Sequence, residues 1–238
     1  MGRAGGFLNT VAGGASLLTV PVLIGLNIPP TQASATNNLA TTAQSLLAAI
    51  RHGARGYVDW GLVLRLAVPA VIGGAVGAFI VVSMSDAVFQ KVIAVVMVLA
   101  VLVVVRPPGG EAAARWREGR LPLIAGVLAV GGLAVYGGVF GGGGWLLLLP
   151  LLSGLFGRDL ITSNGVKTAL VFAMNVTAAG VFIWHGMIHW KPAAVLTAAM
   201  LVGAWIGVDV AIERGEVWLR RVLVVVTLVA AGWLAFGV

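Results

Sequence analysis

An all-α integral membrane protein is predicted, with about eight apolar segments in two pseudo-symmetric halves, and three observations predict it. Of the 238 residues, 60% are hydrophobic and only 10% are charged, and the mean hydropathy is +1.04. Several apolar runs reach the roughly 20 residues an α-helix needs to cross a bilayer. A glycine-rich, proline-terminated stretch occurs twice, as Gly13-Gly14-Ala15-Ser16-Leu17-Leu18-Thr19-Val20-Pro21 and, 129 positions later, as Gly142-Gly143-Gly144-Trp145-Leu146-Leu147-Leu148-Leu149-Pro150.

The elements follow from the apolar runs and their interruptions. Helices are predicted at 3–27, broken near Gly13-Gly14, then at 31–51, 61–83 and 86–106. A polar linker, 107–120, carries Pro107-Pro108-Gly109-Gly110 and mixed charge. The second half continues with 121–156, broken at 137–144, then 160–184, 192–212 and 216–237. Counting the two glycine breaks as hairpins raises the number of helices to ten. Glycine weakens a helix and proline removes a backbone donor, so a break in hydrocarbon survives only where protein or a cavity covers it. No cleaved leader is expected, because Arg3 is followed by a short apolar stretch that runs into the first repeat.

The halves, 1–106 and 121–238, align beyond the glycines. After a one-residue gap the offset becomes 130, matching Val58-Asp59-Trp60 with Ile188-His189-Trp190 and Gly73-x-x-x-Gly77 with Gly203-x-x-x-Gly207. Asp86 then matches Glu216, and Lys91 matches Arg221. Arg51 and Arg55 follow the second helix of the first half, whereas in the second half the basic loop, with Arg214, Arg220 and Arg221, follows the helix after. Because positive loops stay on the cytoplasmic side, equivalent loops lie on opposite faces and the repeats are expected to be inverted. The basic linker is then cytoplasmic, and 121–156 must cross and return as a hairpin about Gly141–Gly144. Parallel halves of simple helices are the alternative.

Composition also excludes. A chain without cysteine has no disulfide and no thiolate chemistry. The net charge of +7 sits in short loops between apolar runs, so it reflects membrane insertion, and no nucleic-acid partner is expected. No nucleotide-binding loop is present, no cofactor is implied, and an enzyme is not expected. Gly14-Ala15-Ser16 with His52 as base would be the remote hydrolase reading, and it leaves the second glycine stretch unexplained. Trp60, Trp190, Trp218 and Trp233 suit interfacial belts.

Matched breaks in two halves point to a substrate site. Free N–H groups at a glycine break, with the positive end of the following helix, suit an anion. The candidate binding residues are therefore Gly13, Gly14, Ser16 and Thr19 in one copy and Gly142, Gly143, Gly144 and Trp145 in the other. The helix after each break is the most polar of its half and adds Asn37 and Asn38, then Asn164, Lys167 and Thr168, with Asn175 two turns on. At an offset of 129, Asn38 aligns with Lys167. Polar residues in a membrane helix normally face the protein interior, and donors with one cation and no acid suit a small oxyanion. Interhelical hydrogen bonds and a snorkelling lysine are the plainer readings. Gly73/Gly77 and Gly203/Gly207 read as close helix packing. His185 and His189 lie four apart but lack a third ligand, so no metal is expected. With Asp209 they are candidates for proton coupling.

The doubled glycine–proline stretch, the polar helix after each copy, and Arg51–Trp60 followed by a glycine-containing helix resemble the TauE/SafE family of sulfite exporter-like permeases over essentially the whole chain. The resemblance implies a multi-pass transporter in the bacterial plasma membrane for a small sulfur-containing anion such as sulfite, sulfoacetate or another organosulfonate. It also implies secondary energy coupling, with export the better-attested direction. The first copy departs from the family pattern at Ala15, where a further glycine is usual. A passive anion channel and a carboxylate transporter are the alternatives on the same scaffold. The bilayer is the expected surrounding, and homo-oligomers are left open.

Overall fold

The computed structural model describes residues 16–92, 121–140 and 145–236. Both glycine breaks, at Gly13-Gly14 and Gly141–Gly144, and the linker 107–120 lie outside the described residues. Among those described, the regular structure is helical and contains no strand.

Seven helices carry the architecture of the described residues: α1 Ser16–Gly25, α2 Pro30–Ala54, α3 Trp60–Val82, α4 Leu121–Phe140, α5 Trp145–Phe156, α6 Leu160–Trp184 and α7 Trp190–Phe236. Residues 86–92 are also helical. Among the described residues, three stretches are long and apolar enough to cross a membrane, namely Trp60–Val82, Leu160–Trp184 and Trp190–Gly215. Helix α2 has the length, at 25 residues, but its polar face lowers its mean hydropathy, and that face is buried. The long α7 is interrupted at Gly215, whose φ of 75° and ψ of −175° are not helical, where the sequence separates 192–212 from 216–237.

Local geometry recurs at one spacing. Helices α2 and α6 are both 25 residues long and begin 130 positions apart, as do α3 and α7. Left-handed backbone occurs at Asn27 and Gly157, and again at Gly56 and Gly186, each pair 130 apart. After α2, Tyr57 N–H donates to His52 O at 2.9 Å; after α6, Met187 N–H donates to Phe182 O at 3.0 Å. These 6→1 bonds close a helix end over a residue with positive φ, which glycine accepts without strain. With the polar helices in register at 130, Lys167 falls opposite Asn37 and Thr168 opposite Asn38. This corrects the Asn38–Lys167 pairing that an offset of 129 predicts.

The central pair is α2 against α6, with α3 on α6, α7 on α2, α4 on α3, α5 against α6 and α4, and α1 on α2. Contacts give the directions. His52, near the end of α2, meets Asn164, near the start of α6, so these two helices are antiparallel. The start of α7 meets the start of α2 through His189 and Gln32, and Asp209 meets Arg51 further on, so α7 runs parallel to α2. Arg158 pairs with Asp59 where both helices start, Gly165 faces Tyr57 and Val58, and Gly74 packs on Met174 further on, so α3 runs parallel to α6. Helices 130 positions apart therefore run in opposite directions. Gly126 near the start of α4 faces Phe156 at the end of α5, which brings the two ends of 121–156 together.

Packing of α3 on α4 depends on absent side chains. A Cβ at Gly73 would stand 2.6 Å from Gly131 O, and one at Gly77 would collide with Val135 O and Gly138. Small residues let helix backbones approach in this way where lipid supplies no hydrophobic drive. Apolar clusters fill the remaining space, one around Leu66, Leu152, Leu170 and Met174, another around Phe89, Val139 and Phe182.

Candidate functional site

The α2–α6 interface is a polar seam inside an apolar bundle. Ser34, Asn38, Ser45 and His52 recur along α2 at helical spacing, and Asn164, Thr168 and Asn175 line one face of α6. All seven are buried, and none of the buried polar residues among those described is an acid. Hydrogen bonds satisfy much of the seam, as burial of polar groups requires. Ser34 Oγ donates to Val139 O at 2.9 Å, Thr42 Oγ1 to Asn38 O at 2.8 Å, and Asn38 Nδ2 to Asn175 Oδ1 at 3.2 Å. Asn38 Oδ1, Asn164 Oδ1 and Asn175 Nδ2 have no partner.

Helix α1 extends the seam at one end. Thr19 Oγ1 donates to Asn37 Oδ1 at 2.6 Å, and Asn37 Nδ2 donates to Ser16 Oγ at 2.9 Å. Three of the residues the sequence singles out thus form one cluster on α1 and α2. In α6, Lys167 is fully buried, one turn after Asn164. Burying an ammonium is costly unless neighbours compensate, so its place inside the bundle rules out simple snorkelling to the surface. Thr168 Oγ1 donates to Gly165 O of its own helix at 2.8 Å, a local bond. Trp145 is the first residue of α5. Gly13, Gly14, Gly142, Gly143 and Gly144 lie outside the described residues.

The three candidates for proton handling sit apart from one another. Asp209 accepts from Arg51 Nη2 at 2.6 and 2.7 Å and from Arg55 Nη2 at 2.5 Å, and the Arg51 guanidinium stacks 3.7 Å from the centre of the Trp205 ring. It therefore joins α7 to the end of α2. At the opposite end, His189 Nε2 lies 2.5 Å from Gln32 Oε1, and His189 N–H donates to Thr36 Oγ1 at 3.1 Å. His185 is exposed and meets Phe79 edge to face, with ring centres 6.1 Å apart. At the 130 spacing His185 corresponds to Arg55 and Phe79 to Asp209. One contact therefore recurs at both ends, ionic at the first and aromatic at the second.

Helix starts are fixed by carboxylates. Asp86 Oδ1 accepts from Thr31 N–H and Thr31 Oγ1 at 3.0 and 2.8 Å, and Asp59 caps α3 through Leu62 N–H while pairing with Arg158. Asp159 caps α6, accepting from Ile161 and Thr162 N–H at 3.0 and 2.9 Å. Partial desolvation raises the Asp159 carboxyl, but the bonds from Thr162 and Ile161 outweigh it and hold the group below its usual range.

Sequence reasoning put His52 only in the remote hydrolase reading, yet it is fully buried at the seam, 3.5 Å from Asn164 Nδ2. The signal available was its sevenfold spacing from Ser45 and Asn38, which sets all three on one helical face. Nothing local marks the Arg51–Asp209 pair, whose members are 158 positions apart.

Comparison with known proteins finds relatives over nearly the whole chain. A probable membrane transporter of Sinorhizobium, ORF9, is 27% identical over 228 residues, covering 95% of this chain and 86% of the relative. A probable membrane transporter of Haemophilus influenzae is 24% identical, covering 99% of this chain and 95% of the relative. The probable membrane transporter YfcA of Escherichia coli K12 is 25% identical, covering 97% and 86%. No solved structure matches the chain. The sulfite exporter TauE/SafE family matches residues 1–234. With apolar helices of spanning length around a buried polar seam, this multi-pass membrane transporter belongs to the TauE/SafE family.

Proposed function

We propose that the protein is a secondary transporter that moves a small sulfur-containing anion, such as sulfite, sulfoacetate or another organosulfonate, across the bacterial plasma membrane, with export the favoured direction. The observation that carries this reading is Lys167, a fully buried lysine one turn from Asn164 on the helix that lines a seam of hydroxyls and amides, with no acid among the buried polar residues described. A buried ammonium among neutral donors favours an oxyanion over a cation. Family membership supports the sulfur chemistry.

The two halves act as inverted repeats. Arg51, Arg55 and Arg158 gather at one end of the bundle, with Arg214 just over one turn beyond Asp209, and the positive-inside rule makes that end cytoplasmic. The anion binds between the polar helices α2 and α6 and the starts of α1 and α5. Ser16, Asn38, Trp145 and Lys167 contribute, together with N–H groups at the glycine breaks. Access alternates by rocking one element against the other around this site, driven by protons.

Flux in proteoliposomes tests the reading, with sulfite, thiosulfate, sulfoacetate, taurine and matched carboxylates presented with and without a pH gradient. Saturable, gradient-sensitive movement of a sulfur anion is expected. Non-saturating flux indifferent to the gradient would make the protein a channel, and movement of carboxylates alone would overturn the substrate class.

A further inference from the structure

The bonding of His52 and Asn164 leaves one buried acceptor over. His52 Nδ1 lies 2.8 Å from Ala48 O, and a carbonyl only accepts, so Nδ1 carries the ring hydrogen. Nε2 is then the acceptor, and the atom facing it, Asn164 Nδ2 at 3.5 Å, donates. The ring thereby fixes which way the Asn164 amide is turned. Its oxygen points away from His52, fully buried and without a partner.

Asn38 and Asn175 show the same surplus independently. They share one N–H···O bond, and Asn38 Oδ1 and Asn175 Nδ2 are left over. Turning both amides exchanges the roles and still leaves one oxygen and one NH2 group unfilled. Asn164 and Asn175 are 11 residues apart on one face of α6, about 16 Å by helical rise. The seam thus presents an unfilled acceptor at two depths.

Lys167 is one turn from Asn164 on α6, and both are buried. An anion held by the ammonium alone satisfies donors with its oxygens and offers nothing to Asn164 Oδ1. We propose that this site selects an anion that brings its own hydrogen-bond donor. The class is a hydroxyl- or ammonium-bearing sulfonate, or a protonated oxyanion such as hydrogen sulfite. Lys167 takes the charged oxygens, Asn164 Oδ1 takes the donor, and His52 is the positioning residue that holds the amide in that sense. The inference rests on the transport function proposed above and narrows its substrate.

Two probes of equal charge that differ by one hydroxyl, 2-hydroxyethanesulfonate and ethanesulfonate, test it in proteoliposomes of the full chain. The hydroxylated ion is expected to be carried at least about tenfold more efficiently, because a buried acceptor left empty penalises the analogue that cannot fill it. Asn164→Leu is expected to bring the ratio of hydroxyethanesulfonate to ethanesulfonate transport to about one, and His52→Leu to lower it part of the way, a change of ratio that loss of fold would not produce. Equal carriage of the two ions by the unaltered protein would overturn the inference and leave sulfonate transport standing. Carriage of neither would overturn both the sulfonate reading and this refinement of it.

Discussion

Asp209 holds the Arg51 guanidinium with both carboxylate oxygens, at 2.6 and 2.7 Å, although 158 positions of chain separate them. Arg55 joins the same carboxylate, so α7 is fastened to α2 by three short charged hydrogen bonds. The Arg51 and Asp209 side chains are only 15% and 25% exposed, which puts the pair between an exposed ion pair and a buried one. Asp209→Ala is expected to cost about 1–3 kcal/mol, measured by thermal or denaturant unfolding in detergent. Asp209→Arg combined with Arg51→Asp and Arg55→Asp is expected to recover part of that loss.

Gly165 stands under the loop that follows α2, where a Cβ would collide with the backbone oxygen of Tyr57. A backbone atom cannot turn aside as a side chain can. Gly165→Ala is therefore expected to lose about 3 kcal/mol or more. Gly180, on the same helix, has open space where its Cβ would go. Gly180→Ala is expected to change stability by no more than about 1 kcal/mol, in the stabilising direction. The two variants compared in one unfolding assay separate packing from helix propensity.

Lys167→Met removes a buried charge while keeping most of the side chain's length. Because a charge taken out of water costs more than an apolar chain of like volume, the variant is expected to unfold no more easily than the parent. Anion flux is expected to fall at least tenfold. Wild-type flux in a folded Lys167→Met protein would remove the cation from the binding model.

Asp159 is a helix cap whose carboxyl is held below its usual value. A group with a depressed folded value supplies stability that is complete above the ordinary value, 3.8, and is lost as pH falls through the folded one. Asp159→Ala is expected to cost about 1 kcal/mol near neutral pH. The gap between variant and parent is expected to narrow below pH 3.8, read from the midpoints of unfolding against pH.

Where one physical signal dominated, the helices were legible in the sequence. The run 160–184 coincides with α6, bounded by a capping Asp159 and a turn at Gly186. The predicted 61–83 differs from Trp60–Val82 by one residue at each end. Helix α2 runs three residues past the predicted end at 51, because His52 is buried and the chain continues to the turn at Gly56. In the candidate site, Ser16, Thr19, Asn37 and Lys167 were legible as polar interruptions of apolar sequence. Partners set by tertiary contact were not. Nothing near Ser34 announces Val139 O, and the single-residue shift between offsets of 129 and 130 moved Lys167 from Asn37 to Asn38. His52, one position past the predicted helix end at 51, stood out only as the base of the remote hydrolase reading, although packing buries it at the seam.

Gly73, Gly74 and Gly77 bring backbone directly against backbone, Gly73 and Gly77 on α4 and Gly74 on Met174 of α6. Such a contact has no rotamers with which to absorb a slide, so α3, α4 and α6 are expected to travel as a single board. The α2–α6 seam is built differently, from short hydroxyls and amides that can trade one partner for another at small cost. Mechanical compliance in this molecule is therefore expected along its polar midline, where the proposed substrate path runs, with the glycine-welded flank as the rigid side that works against it.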